Sequence, residues 1–306
     1  MEPSSANKRH LRAMLIFNPA SGSIDESPLQ LMNIIEAMQA WKIIPEPYIV
    51  GPECNFVPVI QDALRRGIRY FVVCGGDGTI ECVAGILVGT QAVLGVIPTG
   101  TRNNVALGLG IPQDILKAVA LLRNGRRIKV DVGHAVTTGA SCYFLETCSI
   151  GLLSALYSSS DEIQHGNLTR VGEFVATLIT SPPAEIRLLL DGKDELKLNG
   201  HVILVSNFPY VGPHFQVTPE GSFQDGLLDI LVFTDLSKLA LLNNVVQMVG
   251  GGNDDPNIRR YLAAKVQIKT DPPMSIMADG CSLKEGPVTV GIRRRALTVM
   301  AGELSF

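Results

Sequence analysis

Cys74-Gly75-Gly76-Asp77-Gly78-Thr79 is the stretch on which the reading of this chain turns. The apolar run Tyr70-Phe71-Val72-Val73 leads into it, and Ile80–Val88 leads out with helical character. A strand, a glycine turn and a helix start therefore follow one another directly. Glycines permit positive φ and let a ligand come close to the backbone. The N–H groups that open a helix, with the positive end of its dipole, favour an anion at that place. Asp77, the carboxylate of the loop, would repel a bare phosphate, so its position makes chemical sense beside a metal ion or a hydroxyl. Taken as structure alone the stretch is a tight βα turn with an Asp capping the helix, but a cap needs at most one glycine.

The same punctuation recurs on both sides. Ala13–Phe17 reads as a buried strand ending in Asn18-Pro19-Ala20-Ser21-Gly22, a turn rich in hydrogen-bonding groups. Leu29–Trp41 carries Leu31, Ile34, Ile35, Met38 and Trp41 at helical spacing. Pro45 and Pro47 are expected to flank a short strand ending at Tyr48-Ile49-Val50, and Phe56–Arg66 is an amphipathic helix closed by Gly67. Tyr70–Val73 and Ala92–Ile97 are the third and fourth strands. Strands alternating with helices predict a parallel α/β sheet with right-handed crossovers, whose ligands gather at the strands' carboxyl ends. The loops at Asn18, Gly75 and Pro98 all occupy such ends. In the third, Pro98-Thr99-Gly100-Thr101-Arg102-Asn103-Asn104, Thr101 is placed to cap a short helix, and the hydroxyls and amides suit a nucleotide. Gly108-Leu109-Gly110-Ile111-Pro112 is then a turn, and Asp114–Leu122 a helix.

From Arg126 the texture changes. Ile128–Val132, Cys142–Ile150, Ile186–Leu190, Leu196–Ser206 and Leu228–Phe233 read as strands of an antiparallel sheet, with helices expected near Val171–Thr180 and Ser237–Val249. The boundary falls near residue 130. Residues 1–130 are expected to form an α/β domain with a parallel sheet, and 131–306 a larger, mainly antiparallel β domain. Val288–Met300 is expected as two short strands whose end can return to the first domain. Leu152, Leu153, Leu156 and Tyr157 are either core or the lining of an apolar cleft, and His214 in Gly212-Pro213-His214-Phe215 reads as a surface histidine.

Composition sets the bounds. The chain has 306 residues, 46% hydrophobic and 18% charged, enough to bury a substantial core. A net charge of −3 gives no argument for nucleic acid. The basic clusters Arg123-Arg126-Arg127-Lys129 and Arg293-Arg294-Arg295 read first as solvated faces. Cys54, Cys74, Cys82, Cys142, Cys148 and Cys281 form no CxxC pair, which points to buried thiols in a reducing compartment. No uninterrupted apolar run reaches 18 residues, and Met1–Arg12 lacks the apolar segment of a signal peptide. The expectation is a cytoplasmic protein with no transmembrane segment and at most peripheral membrane contact. Whether it forms a homodimer stays open.

Taken together, the motifs resemble the diacylglycerol kinase catalytic family, which includes soluble bacterial lipid kinases and sphingosine kinases. Asn18-Pro19-Ala20-Ser21-Gly22 resembles its first motif, Gly75-Gly76-Asp77-Gly78-Thr79 its central one and Pro98-Thr99-Gly100-Thr101-Arg102-Asn103 its third. Asp225-Gly226-Leu227-Leu228-Asp229 and Asp279-Gly280 stand where the family has its C-terminal signatures. The central motif is shared with NAD kinases; the ordered set is specific. The resemblance implies ATP and Mg²⁺ as cofactors and a lipid at a membrane surface as acceptor. Asn18, Gly75, Gly76, Asp77, Gly78, Thr79 and Thr101 would bind nucleotide, and Asp77, Asp131 and Asp279 would serve the chemistry. A structural Mg²⁺ would lie at Asp225 and carbonyls near Ser222 and Leu227, where the plainer reading is Asp-Gly turn chemistry. The implied reaction is transfer of the γ-phosphate to an acceptor hydroxyl, with the protein supplying positioning and charge neutralisation.

The chain departs from the family pattern in one direction. Asp-Gly-Glu, whose Glu is the family's proposed general base, is here Asp279-Gly280-Cys281. The Asn-Asp that closes the third motif is Asn103-Asn104, the Asn-Glu after the central motif is Glu81-Cys82, and Val50 stands where some relatives carry a nucleotide-binding Thr. The phosphate cradle is kept while acid–base groups thin out. General-base catalysis is worth roughly 10² to 10⁴, so the expectation is a slow lipid kinase. The alternative is a catalytically impaired nucleotide- or lipid-binding homologue with a regulatory role. Glu285 or Asp279 itself are the carboxylates available to replace the missing base.

Overall fold

A computed structural model describes residues 10–22, 27–152, 154, 183–208, 210–211, 215–216, 222–234 and 258–303. The helices expected near Val171–Thr180 and Ser237–Val249, and Leu153, Leu156, Tyr157 and His214, lie outside them. The chain divides into an N-terminal unit, Met1–Val130 with Arg295–Phe306, and a C-terminal unit, Asp131–Arg294.

The N-terminal unit runs β1 (Leu11–Phe17), α1 (Ser27–Ala40), β2 (Ile43–Ile49), α2 (Phe56–Arg65), β3 (Tyr70–Gly75), α3 (Asp77–Leu87), β4 (Val93–Pro98), α4 (Asn104–Gly108) and α5 (Ile115–Asn124). The strands are parallel, and β1 lies between β2 and β3, with β4 beyond β3. Chain direction across the sheet thus reverses between β1 and β3, the place where α/β sheets open a ligand crevice. α1 packs with α5 and α2 with α3. Right-handed crossovers put one pair on each face. β3 and β4 are buried along their whole length, as the apolar runs require of a sheet covered on both sides.

Pro45 and Pro47 lie inside β2 rather than flanking it. The strand tolerates them because it is the sheet edge. Val50 N–H donates to Phe17 O, so the alternate positions 45 and 47 turn their missing N–H groups to the free side. α2 ends as its sequence predicts, with Gly67 at φ +84° and Gly67 and Ile68 N–H groups closing on Leu64 and Ala63.

The C-terminal unit takes up β5 (Arg126–Thr137), which begins in the first unit, and continues with β6 (Ala140–Phe144), β7 (Thr147–Gly151), β8 (Ala184–Leu190), β9 (Asp194–Ser206), β10 (Tyr210–Val211), β11 (Phe215–Gln216), β12 (Leu228–Thr234), β13 (Ile258–Ala263), β14 (Lys265–Asp271), β15 (Ile276–Ala278), β16 (Cys281–Leu283) and β17 (Val288–Ala301). Pairing within it is antiparallel. β9 is the hub, holding β8 with its first half and β7 and β12 on either side of its second. The expected strand Cys142–Ile150 is two, β6 and β7, broken at Leu145-Glu146. Conversely Val288–Met300 is a single strand. Its first part, Val288–Gly291, pairs β14, and its last part, Thr298–Val299, extends the parallel sheet beside β4. β13 and β14 have no counterpart in the sequence expectations. β14 alternates buried and exposed residues, the signature of a half-buried strand.

Candidate active site

In the N-terminal unit the three loops meet at the carboxyl edge of the sheet. Asn18 N–H donates to Cys74 O, and Asn18 Nδ2 donates to Thr79 Oγ1 at 2.8 Å, tying the first loop to the opening of α3. Thr99 Oγ1 donates to Ser21 Oγ at 3.3 Å. The glycines are there for contact. A Cβ on Gly100 would sit 2.5 Å from Gly76 Cα, and one on Gly22 2.7 Å from Thr99 O. Gly78 is different, since a Cβ there would meet nothing within 4 Å. The Asp77 and Gly78 N–H groups, in the first turn of α3, have no acceptor among the described residues. Open space over two unpaired helix-opening amides fits a phosphate oxygen.

Asp77 is already engaged. Its Oδ2 accepts from Asn104 N–H and its Oδ1 from Val105 N–H, both at 3.1 Å. The carboxylate therefore caps α4 from another loop. Each oxygen keeps a lone pair for a metal ion or hydroxyl. This corrects the assignment of Thr101 as the cap. Thr101 is exposed, and the N-cap residue is Asn103, at φ +55°, with no side-chain capping bond. Asn103 instead closes its own loop, with Oδ1 accepting from Gly100 N–H and Nδ2 donating to Gly100 O and Gln113 Oε1. Beneath the loop, burial pushes the Cys74 thiol up to about 12, the contact with Thr99 opposing weakly, so it is inert.

In the C-terminal unit the predicted residues form two turns. Asp131, buried at the centre of β5, accepts Gly226 N–H at 2.8 Å through Oδ2 and donates its own N–H to Phe223 O. It thereby holds the turn of Ser222, Asp225 and Leu227. There Asp225 Oδ1 accepts Leu227 N–H at 2.8 Å, and Asp225 N–H donates to Ser222 O. The turn offers a carboxylate and carbonyls, hard oxygens that suit Mg²⁺ with water completing its shell. No group of three or more His, Cys, Asp or Glu gathers for a metal among the described residues, so a cation here would lean on backbone carbonyls.

Asp279-Gly280 is the two-residue turn between β15 and β16, with Asp279 at φ +44°. Its carboxylate accepts three successive N–H groups, of Leu145 at 2.7 Å, Glu146 at 3.2 Å and Thr147 at 2.9 Å. Those bonds make it the clamp of the β6–β7 break, and they engage most of the lone pairs of its carboxylate. Cys281 packs against the apolar core of the unit, and Glu285 is exposed.

The sequence reading passed over two residues here. Asn207 is buried, donates through Nδ2 to Asp131 O and Leu145 O, and so links the two turns. Its Oδ1 has no hydrogen-bond partner among the described residues. Glu146, a buried carboxylate, stands beside the Asp279 clamp. The available signals were a Glu inside the apolar run Phe144–Cys148 and an Asn directly after the long run of β9.

With this geometry in hand, relatives can be compared. The model of the diacylglycerol kinase catalytic domain matches residues 12–135, and that of the YegS C-terminal NAD kinase beta sandwich-like domain matches 157–301. A protein named diacylglycerol kinase from Bacillus subtilis is 26% identical over 278 residues, covering 88% of this chain and 89% of its own length. A solved diacylglycerol kinase from Bacillus anthracis superposes with a TM-score of 0.72 at 21% identity, over 97% of this chain and 98% of that one. An NAD kinase from Archaeoglobus fulgidus, solved in complex with ATP, superposes with a TM-score of 0.55 at 13% identity, over 96% and 94%. At such identities the structures speak for the fold: an α/β unit with parallel strands and a β-rich unit with mostly antiparallel sheet. The two domain models together span most of the sequence, in the order and at the places where the motifs stand, and the chain belongs to the diacylglycerol kinase catalytic-domain family.

Proposed function

We propose that this chain is an ATP-dependent lipid kinase that moves the γ-phosphate to the hydroxyl of a diacylglycerol-like or sphingoid lipid. The observation that carries the reading is the start of α3, where the Asp77 and Gly78 N–H groups lack acceptors and open space lies over Gly78. ATP with Mg²⁺ would supply the phosphoryl group and screen its charge. Gly75, Gly76, Gly78 and Thr79 hold the phosphates in this reading, Asn18 fixes Thr79 for them, and Thr101, exposed on the adjoining loop, reaches the nucleotide. Asp77, with lone pairs left over from capping α4, serves the cation. Ser222, Asp225 and Leu227 hold a structural cation. Asp131 and Asp279 act as positioning residues, the first through the Gly226 turn and the second through the Leu145–Thr147 amides.

The acceptor hydroxyl has to lose a proton, and the position of the family's base is a thiol. An ordinary Cys titrates near 8.5 and an ordinary Glu near 4.3. The rate expected is therefore lower by a factor of about 10² to 10⁴ than with a carboxylate in place.

The test is ATP turnover with a panel of lipid hydroxyls in mixed micelles, comparing the native chain with Cys281→Glu and Asp77→Asn. Slow lipid-dependent transfer, raised by Cys281→Glu and lost in Asp77→Asn, is the expected result. Turnover in neither the native chain nor Cys281→Glu, with nucleotide still bound, would replace the kinase by a nucleotide-binding homologue.

A further inference from the structure

The carboxylates of the C-terminal unit differ in what they face. Asp279 carries three amides, and Asp131 carries that of Gly226. Glu285 is exposed, and a thiol, Cys281, holds the place of the family's base. Glu146 stands among these groups. Its N–H donates to Asp279 Oδ1 at 3.2 Å, which fastens it to the turn leading into Cys281. On its other side Asn207 ties the adjoining Leu145 carbonyl to that of Asp131. Glu146 is thus placed between the two aspartates expected to serve the chemistry of this unit, and it is 7% exposed.

Asn207 is the residue opposite. β7 and β9 pair at Thr147 and Ser206, and one rung further Asn207 N–H donates to Glu146 O at 2.9 Å. Residues opposite each other in an antiparallel pair have Cβ atoms about 5 Å apart on one face, so the two side chains are within each other's reach. Asn207 is 4% exposed, and its amide has a single orientation. Nδ2 donates to Asp131 O at 3.1 Å and to Leu145 O at 2.8 Å; turned over, the amide would set its oxygen against both carbonyls. Oδ1 is therefore a fixed acceptor, and no donor meets it among the described residues. A buried acceptor without a donor is costly and calls for a cause. An ionised carboxylate across the rung offers it no hydrogen, whereas a protonated one donates its O–H. The pair is built to hold a proton that arrives.

We propose that Glu146 is the general base of the phosphoryl transfer, in place of the carboxylate missing at Cys281, and that Asn207 Oδ1 accepts from it once it is protonated. This rests on the lipid-kinase reading and names the group which that reading leaves open. As the acceptor oxygen bonds to the γ-phosphorus, the bond between that phosphorus and ADP breaks, and ADP keeps its electron pair. Glu146 takes the proton of the acceptor hydroxyl, its new O–H donates to Asn207 Oδ1, and the proton passes to water after the phosphorylated lipid has left. Glu146 comes from the β6–β7 break and not from position 281, so the transfer stays slower than with a carboxylate at 281.

The experiment measures turnover of the best acceptor of the lipid panel by the native full chain, Glu146→Gln, Cys281→Glu and the double variant Glu146→Gln, Cys281→Glu, with ATP affinity and thermal unfolding followed in each. Glu146→Gln is expected to lower kcat about a hundredfold or more at unchanged ATP affinity. The double variant is expected to return to within a few-fold of Cys281→Glu alone, because a carboxylate at 281 makes the one at 146 dispensable. A merely structural role of Glu146 is not repaired from position 281. Should Glu146→Gln fail to fold, Glu146→Asp is read in its place, one methylene short, with the same loss and the same rescue expected. A folded Glu146→Gln that turns over like the native chain overturns the inference, and so does a loss that Cys281→Glu leaves unrepaired; in both cases the kinase reading stands. No turnover by the native chain or by Cys281→Glu, with ATP bound, removes the kinase reading and this base together.

Discussion

His134 shows how one side chain reports its surroundings. Its ring stacks on Tyr143 with centroids 4.5 Å apart, and Arg293 lies over the other ring at 5.6 Å. Burial, then the Arg293 charge, lowers its pKa. In the unfolded chain it titrates near 6.5. Between that value and the lowered one the unfolded chain binds the extra proton, so stability rises with pH across this window. It is lost as pH falls from about 6.5 through the folded value. Urea unfolding of His134→Gln should therefore show less loss of stability than the native chain over that acid window and the same pH dependence above it. A parallel course in both proteins would mean that His134 titrates alike folded and unfolded. At this scale Gly67 was legible from its own turn, whereas in the third loop Thr101 was read as the cap and Asn103, which closes that loop, was not. Asp77 was legible as important but not as the cap of α4, because that bond joins residues far apart in the chain. Asn207 escaped for the same reason, and Asp279 was legible as a site residue but not as the clamp of Leu145–Thr147, since those partners lie far away in the chain.

Elements were legible in proportion to how local their causes are. The βα units of the first unit follow from apolar period and glycine punctuation, and the structure has them, β2 apart, with ends shifted by up to three residues, the most at the start of α3. β2 swallowed its prolines because it is an edge strand, a position no local pattern reveals. The β6–β7 break depends on Asp279 reaching over from the β15–β16 turn to take three amides. The β5–β6 pair yields a sharper prediction. Gly133 faces Phe144 across the ladder, and a methyl group at 133 would overlap the aromatic ring. Gly133→Ala should cost about 1–3 kcal/mol, the usual range for overpacking a tight core. Thermal or urea unfolding checks it, and an unchanged midpoint would show that the Phe144 ring moves aside freely.

At the scale of the whole molecule, the chain leaves the N-terminal unit at Val130 and comes back to it at Arg295. The returning part of β17 covers β4, Met300 enters the core under α1 and α5, and Gly302 N–H donates to Leu109 O. A chain cut after Val130 leaves β4 as a bare, apolar edge at Val93 and Leu94, an invitation to pair with another copy. Light scattering should find that fragment aggregated where the full chain is not. A well-behaved fragment would show that the last strand is dispensable. The return also orders events at the ribosome. The residues that close the first sheet are made roughly ten to thirty seconds after Val130 at ordinary translation speeds. The N-terminal unit is thus begun before the C-terminal one and completed after it, and for that interval the nascent chain presents an unguarded strand that a chaperone, or a neighbouring nascent chain, is able to find.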